Sequence, residues 1–295
     1  MSTETVRRRR RPDWFRAVAY VVIVFAALAC LIPFWLLVVG SLTDENTLIR
    51  DGYSFWPAKF SLSAYKFIFA GNNQVITSYG VSIFITIVGT ALALFTTTAL
   101  AYSIANPKNR LARPLGFFAY FPMLFSGGLV PLYLLVTNGL QLSDSLWAVI
   151  LPALINPFFV FIMVSFFRKL PTEIVESARI DGANEATIFL RIVLPISTPI
   201  LATIGLFYAL AYWNEWFYAL LFLNDQHKFP LQLLLQNMLA DAQFSQSFQT
   251  TGNVSVPSYG LRMAVTLISI GPIIFVYPFV QRYFVRGLTL GATKG

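Results

Sequence analysis

The sequence predicts an all-α integral membrane protein that crosses the bilayer six times. Three observations predict it. The 295 residues are 57% hydrophobic and only 12% charged, where soluble domains carry about 25% charge. The mean hydropathy is +0.66. Six apolar runs each reach the ~20 residues that a helix needs to cross roughly 30 Å of hydrocarbon. Lipid offers no partner to an exposed backbone amide or carbonyl, so these spans are expected to be helical.

The runs cover residues 17–42, 75–105, 115–137, 146–167, 196–223 and 263–285. Residues 1–16 form a basic tail that includes Arg7, Arg8, Arg9, Arg10 and Arg11. The first run is longer than the ~7–15 apolar residues of a cleavable signal, and no A-x-A site ends it, so it reads as a retained span. Its Cys30 is the single cysteine, which excludes an intramolecular disulfide, and it reads as a packed membrane residue. In the third run Gly127 and Gly128 lie between Pro122 and Pro131. A bend or a local unwinding is expected there, as a packing kink or as a hinge or pathway wall. The fourth run carries Pro152 and Pro157, the fifth Pro199 and the sixth Pro272 and Pro278.

Lys and Arg set the orientation. One side collects Arg7 to Arg11 and Arg16, Lys108, Arg110, Arg113, Arg168, Lys169, Arg179, Arg191, Arg282, Arg286 and Lys294. The other keeps Arg50, Lys59, Lys66, Lys228 and Arg262. The positive-inside rule therefore puts both termini, with the tail at 286–295 and the segment at 171–195, in the cytoplasm. The net charge of +8 is accounted for by the membrane, and no nucleic-acid partner is expected. Outside, the aromatics of residues 55–69 suit an amphipathic surface segment. Residues 231–242 read as a short surface helix followed by an irregular loop. His227, the single histidine, reads as a solvated loop residue.

Catalytic signatures are missing. There is no G-x-x-x-x-G-K-[ST] phosphate loop, no H-E-x-x-H, no G-x-S-x-G and no histidine pair for a metal. The chain is read as no enzyme, and energy for transport would come from a partner. One carboxylate, Glu215, lies in a span, and a charge at mid-bilayer costs ~2.5–3.5 kcal/mol on insertion scales. It should face protein or a water-filled cavity. Its neighbours Tyr212, Trp213, Asn214 and Trp216 are pathway-lining candidates, with ring faces on which sugars can stack. An interfacial aromatic belt around a structural carboxylate is the other reading.

The most charged inner segment is EIVESARIDGANEATIFLRIVLP, Glu173 to Pro195. Thr172 is placed to cap a helix with Glu173 and Glu176 near its positive end. Gly182 is placed to end that helix in a left-handed conformation. A second short helix over 184–191 leads to Pro195, where the fifth span begins. From the residues alone this is either an amphipathic connector or a rigid knob presented to a partner.

Glu176, Ser177, Ala178, Gly182, Ile192, Leu194 and Pro195 fall at the spacing E-A-A, three residues, G, nine residues, I-x-L-P, with Ser177 in place of the first alanine. This resembles the EAA motif of binding-protein-dependent ABC importer permeases. WNEWF in the fifth run and QRYFVRGLTLGATKG at the end look like the carbohydrate permeases of the maltose-permease type. FSGGLVPLYLL looks like a branch importing oligosaccharides, including fragments of acidic polysaccharides such as alginate.

The resemblance implies the type I ABC importer permease architecture in a bacterial cytoplasmic membrane. It implies that Glu173, Glu176, Ser177, Ala178, Asp181, Gly182 and Ala183 form a coupling helix docked on an ATPase. It also implies a second permease chain, two ATP-binding subunits, an external solute-binding protein and a sugar substrate. No cofactor is expected on this chain; ATP and Mg would be used by the partner subunits. The alternative is a stand-alone ion-coupled transporter or channel, which needs polar groups converging at mid-bilayer.

Overall fold

The structure, a computed structural model, describes residues 13–70, 74–248 and 259–274. The arginines at 7–11, the second half of the sixth run and the 286–295 tail lie outside the described residues. Among the described residues every regular element is helical, apart from an isolated antiparallel bridge between Thr43 and Phe60. The chain divides into two compact units, Met1–Ile68 with Ala242–Ile268 and Phe69–Asp241 with Ser269–Gly295.

In the first unit, α1 runs over Asp13–Ser41, with Pro33 inside it. Its 29 residues span about 44 Å at 1.5 Å per residue, enough to cross hydrocarbon with some tilt. None of its most apolar window is buried. Cys30 is exposed and not packed as expected, because this helix is almost wholly exposed before its last turns, where Val39 and Ser41 are buried. Lipid or another chain must cover that surface.

Two short helices follow, α2 (Glu45–Asp51) and α3 (Ser63–Phe69). Between them Trp56 packs edge-on against Trp35 at 5.6 Å, and Trp35 Nε1–H donates to the Phe55 carbonyl at 2.9 Å. Glu45 is buried, which the sequence reading did not foresee. Its carboxylate accepts the Tyr259 and Gly260 N–H groups at 2.8 and 2.9 Å. These are the first amides of an apolar helix at Tyr259–Ile274, so Glu45 caps that helix from more than 200 residues away.

The second unit is built on α4 (Gln74–Ala105), whose 32 residues span about 48 Å. One face buries Ser78, Ser82, Gly89, Ala93, Thr97 and Ala101, small residues mostly at four-residue steps. Such a seam lets a second helix approach closely in a membrane. α12 (Thr198–Trp213) fills it. Gly205 sits over Leu94, the Thr97 and Tyr208 hydroxyls are 2.6 Å apart, and the Tyr212 ring covers Gly89.

The remaining runs are interrupted. α5 (Ala112–Leu124) and α6 (Leu129–Leu134) are separated by four non-helical residues, as the Gly127–Gly128 pair led us to expect. α6 continues through a π turn at Leu135–Gly139. α7 (Leu146–Ile150) passes through a 3-10 turn into Pro152, and α8 (Pro157–Phe167) leaves at 48°. The fifth run is not one continuous span from Ile196. α12 begins at Thr198, bent 84° from the helix before it, and a further break separates it from α13 (Phe217–Phe222).

The expected surface helix is α14 (Leu231–Phe248), longer than foreseen. Its first turn is not a surface feature. Leu231, Leu233 and Leu235 are buried, and the Leu231 N–H donates to Ser82 Oγ at 2.7 Å.

Asp144 joins two loops. Its φ of +55° is left-handed, which aspartate tolerates better than most residues. Its carboxylate accepts the Asn224 and Asp225 amides at 3.0 Å each and pairs with Lys228 Nζ at 2.5 Å. The Lys228 bond and the two amides hold its pKa near about 2, below the ordinary 3.8. A lowered carboxylate pKa contributes stability that is complete above the unfolded value and is lost as pH falls through the folded one. Lys228, pushed upward by the same pair, stays protonated throughout that window. In detergent, the melting-temperature gap between wild type and Asp144→Asn should therefore hold steady above ~pH 5 and shrink below ~pH 4. A gap unchanged down to ~pH 2.5 would show that the charge contributes nothing.

Candidate functional site

The charged segment from Glu173 to Pro195 folds as two short helices joined by a tight corner. α9 covers Thr172–Ile180. Thr172 does not cap it as expected. Pro171 occupies the cap position, no side chain closes the helix start, and Thr172 is its first helical residue. Glu173 in the first turn and Arg179 in the last complement the helix dipole, each worth ~0.3–1 kcal/mol.

The helix ends at Gly182 with φ +81°, as its position suggested. The Ala183 N–H bonds the Ala178 carbonyl at 3.0 Å and the Gly182 N–H bonds the Arg179 carbonyl at 3.1 Å. This pair of bonds is the Schellman closure. A β-carbon on Gly182 would meet nothing within 4 Å, so only the backbone angle requires glycine.

α10 (Glu185–Ile188) is capped by Asn184, whose side chain accepts the Thr187 N–H at 2.8 Å. It runs through a π turn at Phe189–Val193 and α11 (Leu194–Ile196), further than the expected end at 191. Ile188, Phe189 and Val193 are buried and root this arm in the core. Ala178 is buried in the same core, with Ala183 packed against it. A small residue at position 178 lets α9 lie close.

Polar bonds lock the corner. Arg179 Nη2 and Nε reach one Glu185 oxygen at 2.7 and 2.8 Å, and Tyr102 Oη–H of α4 donates to the other at 2.8 Å. Tyr102 also packs on Phe189 at 5.3 Å. Arg179 of α9 and Tyr102 of α4 thus share the Glu185 carboxylate. Lys108 pairs with Glu176 at 3.3 Å, an exposed contact worth at most ~1 kcal/mol. A cavity of about 320 Å³ lies beside α9, lined among others by Tyr102, Lys108, Arg168, Glu176 and Arg179.

Glu173, Glu176, Ser177, Asp181 and Gly182 are exposed. Ile180 joins them, 86% exposed. The sequence reading passed over this isoleucine, although 173, 176, 177 and 180 share one helical face at i, i+3, i+4 and i+7. The same reading missed the Tyr102–Glu185–Arg179 lock.

The second candidate cluster separates. Tyr212 is buried and its hydroxyl donates to the Ile150 carbonyl at 3.0 Å. Trp213 is buried and its Nε1–H donates to the Ser269 carbonyl at 3.0 Å. Both spend their polar atoms on the protein. Asn214 and Trp216 are exposed, and Glu215 is half-buried. Glu215 Oε1 accepts the Tyr218 N–H at 2.8 Å, so the intramembrane carboxylate caps α13 where the run is broken. Among the described residues no group of three His, Cys, Asp or Glu is arranged to hold a metal. His227 is exposed in a short turn.

Residues 98–290 match the family described as the binding-protein-dependent transport system inner membrane component. Two Bacillus subtilis (strain 168) proteins are similar along most of their length. Protein LplC is 43% identical over 267 residues, 90% of either chain. The polygalacturonan/rhamnogalacturonan transport system permease protein YtcP is 39% identical over 95% of this chain and 98% of its own. One solved chain comes from a bacterial ABC transporter involved in the import of the acidic polysaccharide alginate. It superposes with a TM-score of 0.77 at 30% identity, covering 95% of this chain and all of that one.

Proposed function

This chain belongs to the binding-protein-dependent transport system inner membrane component family, and on that premise we propose that it is the permease subunit of an ATP-driven importer of oligosaccharides, acidic ones among them. The observation that carries the coupling role is α9. It is an exposed acidic helix, rooted through Ala178, closed at Gly182 and tied to α4 through Glu185 and Tyr102. In this reading Glu173, Glu176, Ser177, Ile180 and Asp181 dock on a cytoplasmic ATPase, whose subunits bind ATP and Mg. Ala178, Gly182 and Ala183 hold the docking helix in shape. A second permease chain and an external solute-binding protein complete the complex, and both termini lie in the cytoplasm.

The pathway reading narrows to Asn214, Glu215 and Trp216, because Tyr212 and Trp213 face inward. A stand-alone ion-coupled carrier is the weaker reading. It needs free polar groups converging at mid-bilayer, and Glu215 is committed to a backbone amide. The acidic substrate class is supported by two relatives, one named for polygalacturonan and rhamnogalacturonan and one for alginate.

The test is uptake in a strain lacking this chain, with neutral and acidic oligosaccharides supplied in parallel. Restoring the chain should restore uptake of uronic-acid oligosaccharides. Unchanged uptake of every oligosaccharide, with the protein in the membrane, would overturn the reading.

A further inference from the structure

We propose that the break in the third apolar run, residues 125–128, is a wall of the translocation pathway. There, free backbone amides meet the hydroxyl and carboxylate oxygens of the passing sugar. The inference rests on the importer reading above.

Two other interruptions of membrane runs are bridged by side chains from elsewhere in the chain or from the break itself, although one amide in each, Ile155 and Trp216, donates to no described residue. At 154–156, the Tyr208 hydroxyl accepts the Asn156 N–H at 3.0 Å and the Tyr212 hydroxyl donates to the Ile150 carbonyl at 3.0 Å. At 214–216, Glu215 takes the Tyr218 amide and the Asn214 side chain donates to the Leu210 carbonyl at 2.8 Å. At 125–128 no other described element contributes. The Phe125 N–H bonds the Phe121 carbonyl at 3.1 Å, and the Gly128 N–H bonds Ser126 Oγ at 3.2 Å. The amides of Ser126 and Gly127 donate to no described residue.

Depth makes this difference informative. The run covers 115–137, so the break sits at its midpoint. Lipid cannot satisfy open backbone at that depth; it persists only inside protein or along a water-filled cavity. This chain does not bury it. Phe121, Leu124, Phe125, Leu129 and Val130 are all exposed, Leu124 by 81%.

The local shape favours a ligand. A β-carbon on Gly127 would meet nothing within 4 Å, so the backbone is open to close approach. Gly128 holds φ +87°. Beside the break, the exposed Phe121 and Phe125 rings stack at 4.7 Å and 21°. Together they pair free amide donors with an apolar ring face, the two features that a sugar's oxygens and its C–H face require.

The test uses the whole transporter in proteoliposomes, with Cys30→Ala removing the native thiol. Gly127→Cys and Ser126→Cys are added singly; neither position has a left-handed φ, unlike Gly128. The probe is a sulfonate-bearing methanethiosulfonate, which forms a mixed disulfide with the cysteine and releases methanesulfinate. Modification is read on the assembled complex whatever its uptake rate. The charged probe is expected to react at both positions and to block uptake. A transported oligosaccharide at about ten times its dissociation constant should slow the reaction about tenfold. A thiol inert to the charged probe but reactive to a lipid-soluble maleimide would place the break against lipid. A thiol inert to both would place it against the second permease chain. Reaction that the sugar leaves unchanged would remove the ligand contact. Each of the three overturns the inference. Absence of oligosaccharide uptake by the wild-type transporter in the same proteoliposomes would count against the importer reading instead.

Discussion

Gly182→Arg is expected to leave the protein folded in the membrane and to disconnect ATP hydrolysis from sugar uptake. The residue has φ +81° and open space around it. Any β-carbon there costs about 1–2 kcal/mol of backbone strain, but it displaces no neighbour, and α9 stays rooted through Ala178. The long cationic side chain then projects from the corner into whatever partner the helix docks against. Uptake should fall by roughly tenfold or more, the factor that ~1.4 kcal/mol of lost docking energy represents. Gly182→Ala carries the same strain without the bulk, so it separates a distorted corner from a blocked interface. It should retain most uptake. Glu176→Lys gives an independent reading, because its pair with Lys108 is exposed and its loss costs the fold little. Uncoupling in Gly182→Arg and Glu176→Lys, with Gly182→Ala near normal, supports docking through this face. Normal uptake in both charged variants would remove the coupling role.

The features legible in the sequence were local ones. Apolar runs, the prolines at 152 and 157 and the glycine pair at 127–128 marked helices and their interruptions. Gly182 marks its own left-handed angle because glycine adopts that angle at the least cost. Long-range pairings left no such mark. Nothing near Glu45 shows that its carboxylate will cap a helix beginning at Tyr259. Nothing near Tyr208 or Tyr212 shows that their hydroxyls will close a break between α7 and α8. The WNEWF cluster reads as one unit, yet α12 ends at Trp213 and residues 214–216 lie in the break before α13. Tyr212 and Trp213 turn inward, while Asn214 and Trp216 stay at the surface. The burial of α14 was hidden for the same reason, since its partner Ser82 lies 149 residues earlier.

The close approach of α4 and α12 leads to the second large expected effect. A β-carbon at Gly89 would lie 2.8–2.9 Å from three atoms of the Tyr212 ring, closer than carbon atoms tolerate. The ring cannot slide away freely, because its hydroxyl is bonded to the Ile150 carbonyl and its body is buried. Gly89→Val therefore forces a choice between overpacking the seam, costing ~1–3 kcal/mol or more, and withdrawing Tyr212 from its bond. Withdrawal leaves a buried carbonyl unpaired at a further ~1–3 kcal/mol. The melting temperature of the purified protein in detergent should drop clearly for Gly89→Val and less for Gly89→Ala. Tyr212→Phe isolates the hydrogen bond, since it keeps the ring and removes the hydroxyl. Combining Gly89→Ala with Tyr212→Ala should restore part of what each variant loses, because truncating the ring vacates the space that the new methyl needs. Contacting residues typically couple by ~0.5–3 kcal/mol in such cycles. Strict additivity, or an unchanged melting temperature in Gly89→Ala, would mean that α4 and α12 do not meet at this seam. The contact also bears on transport. In the proposed coupling, Tyr102 links α10 to α4, and the Gly89–Tyr212 seam joins α4 to α12, next to the break that Glu215 caps. A variant that loosens this seam without unfolding the protein should therefore also weaken the coupling between ATP hydrolysis and uptake, although it lies far from the docking face.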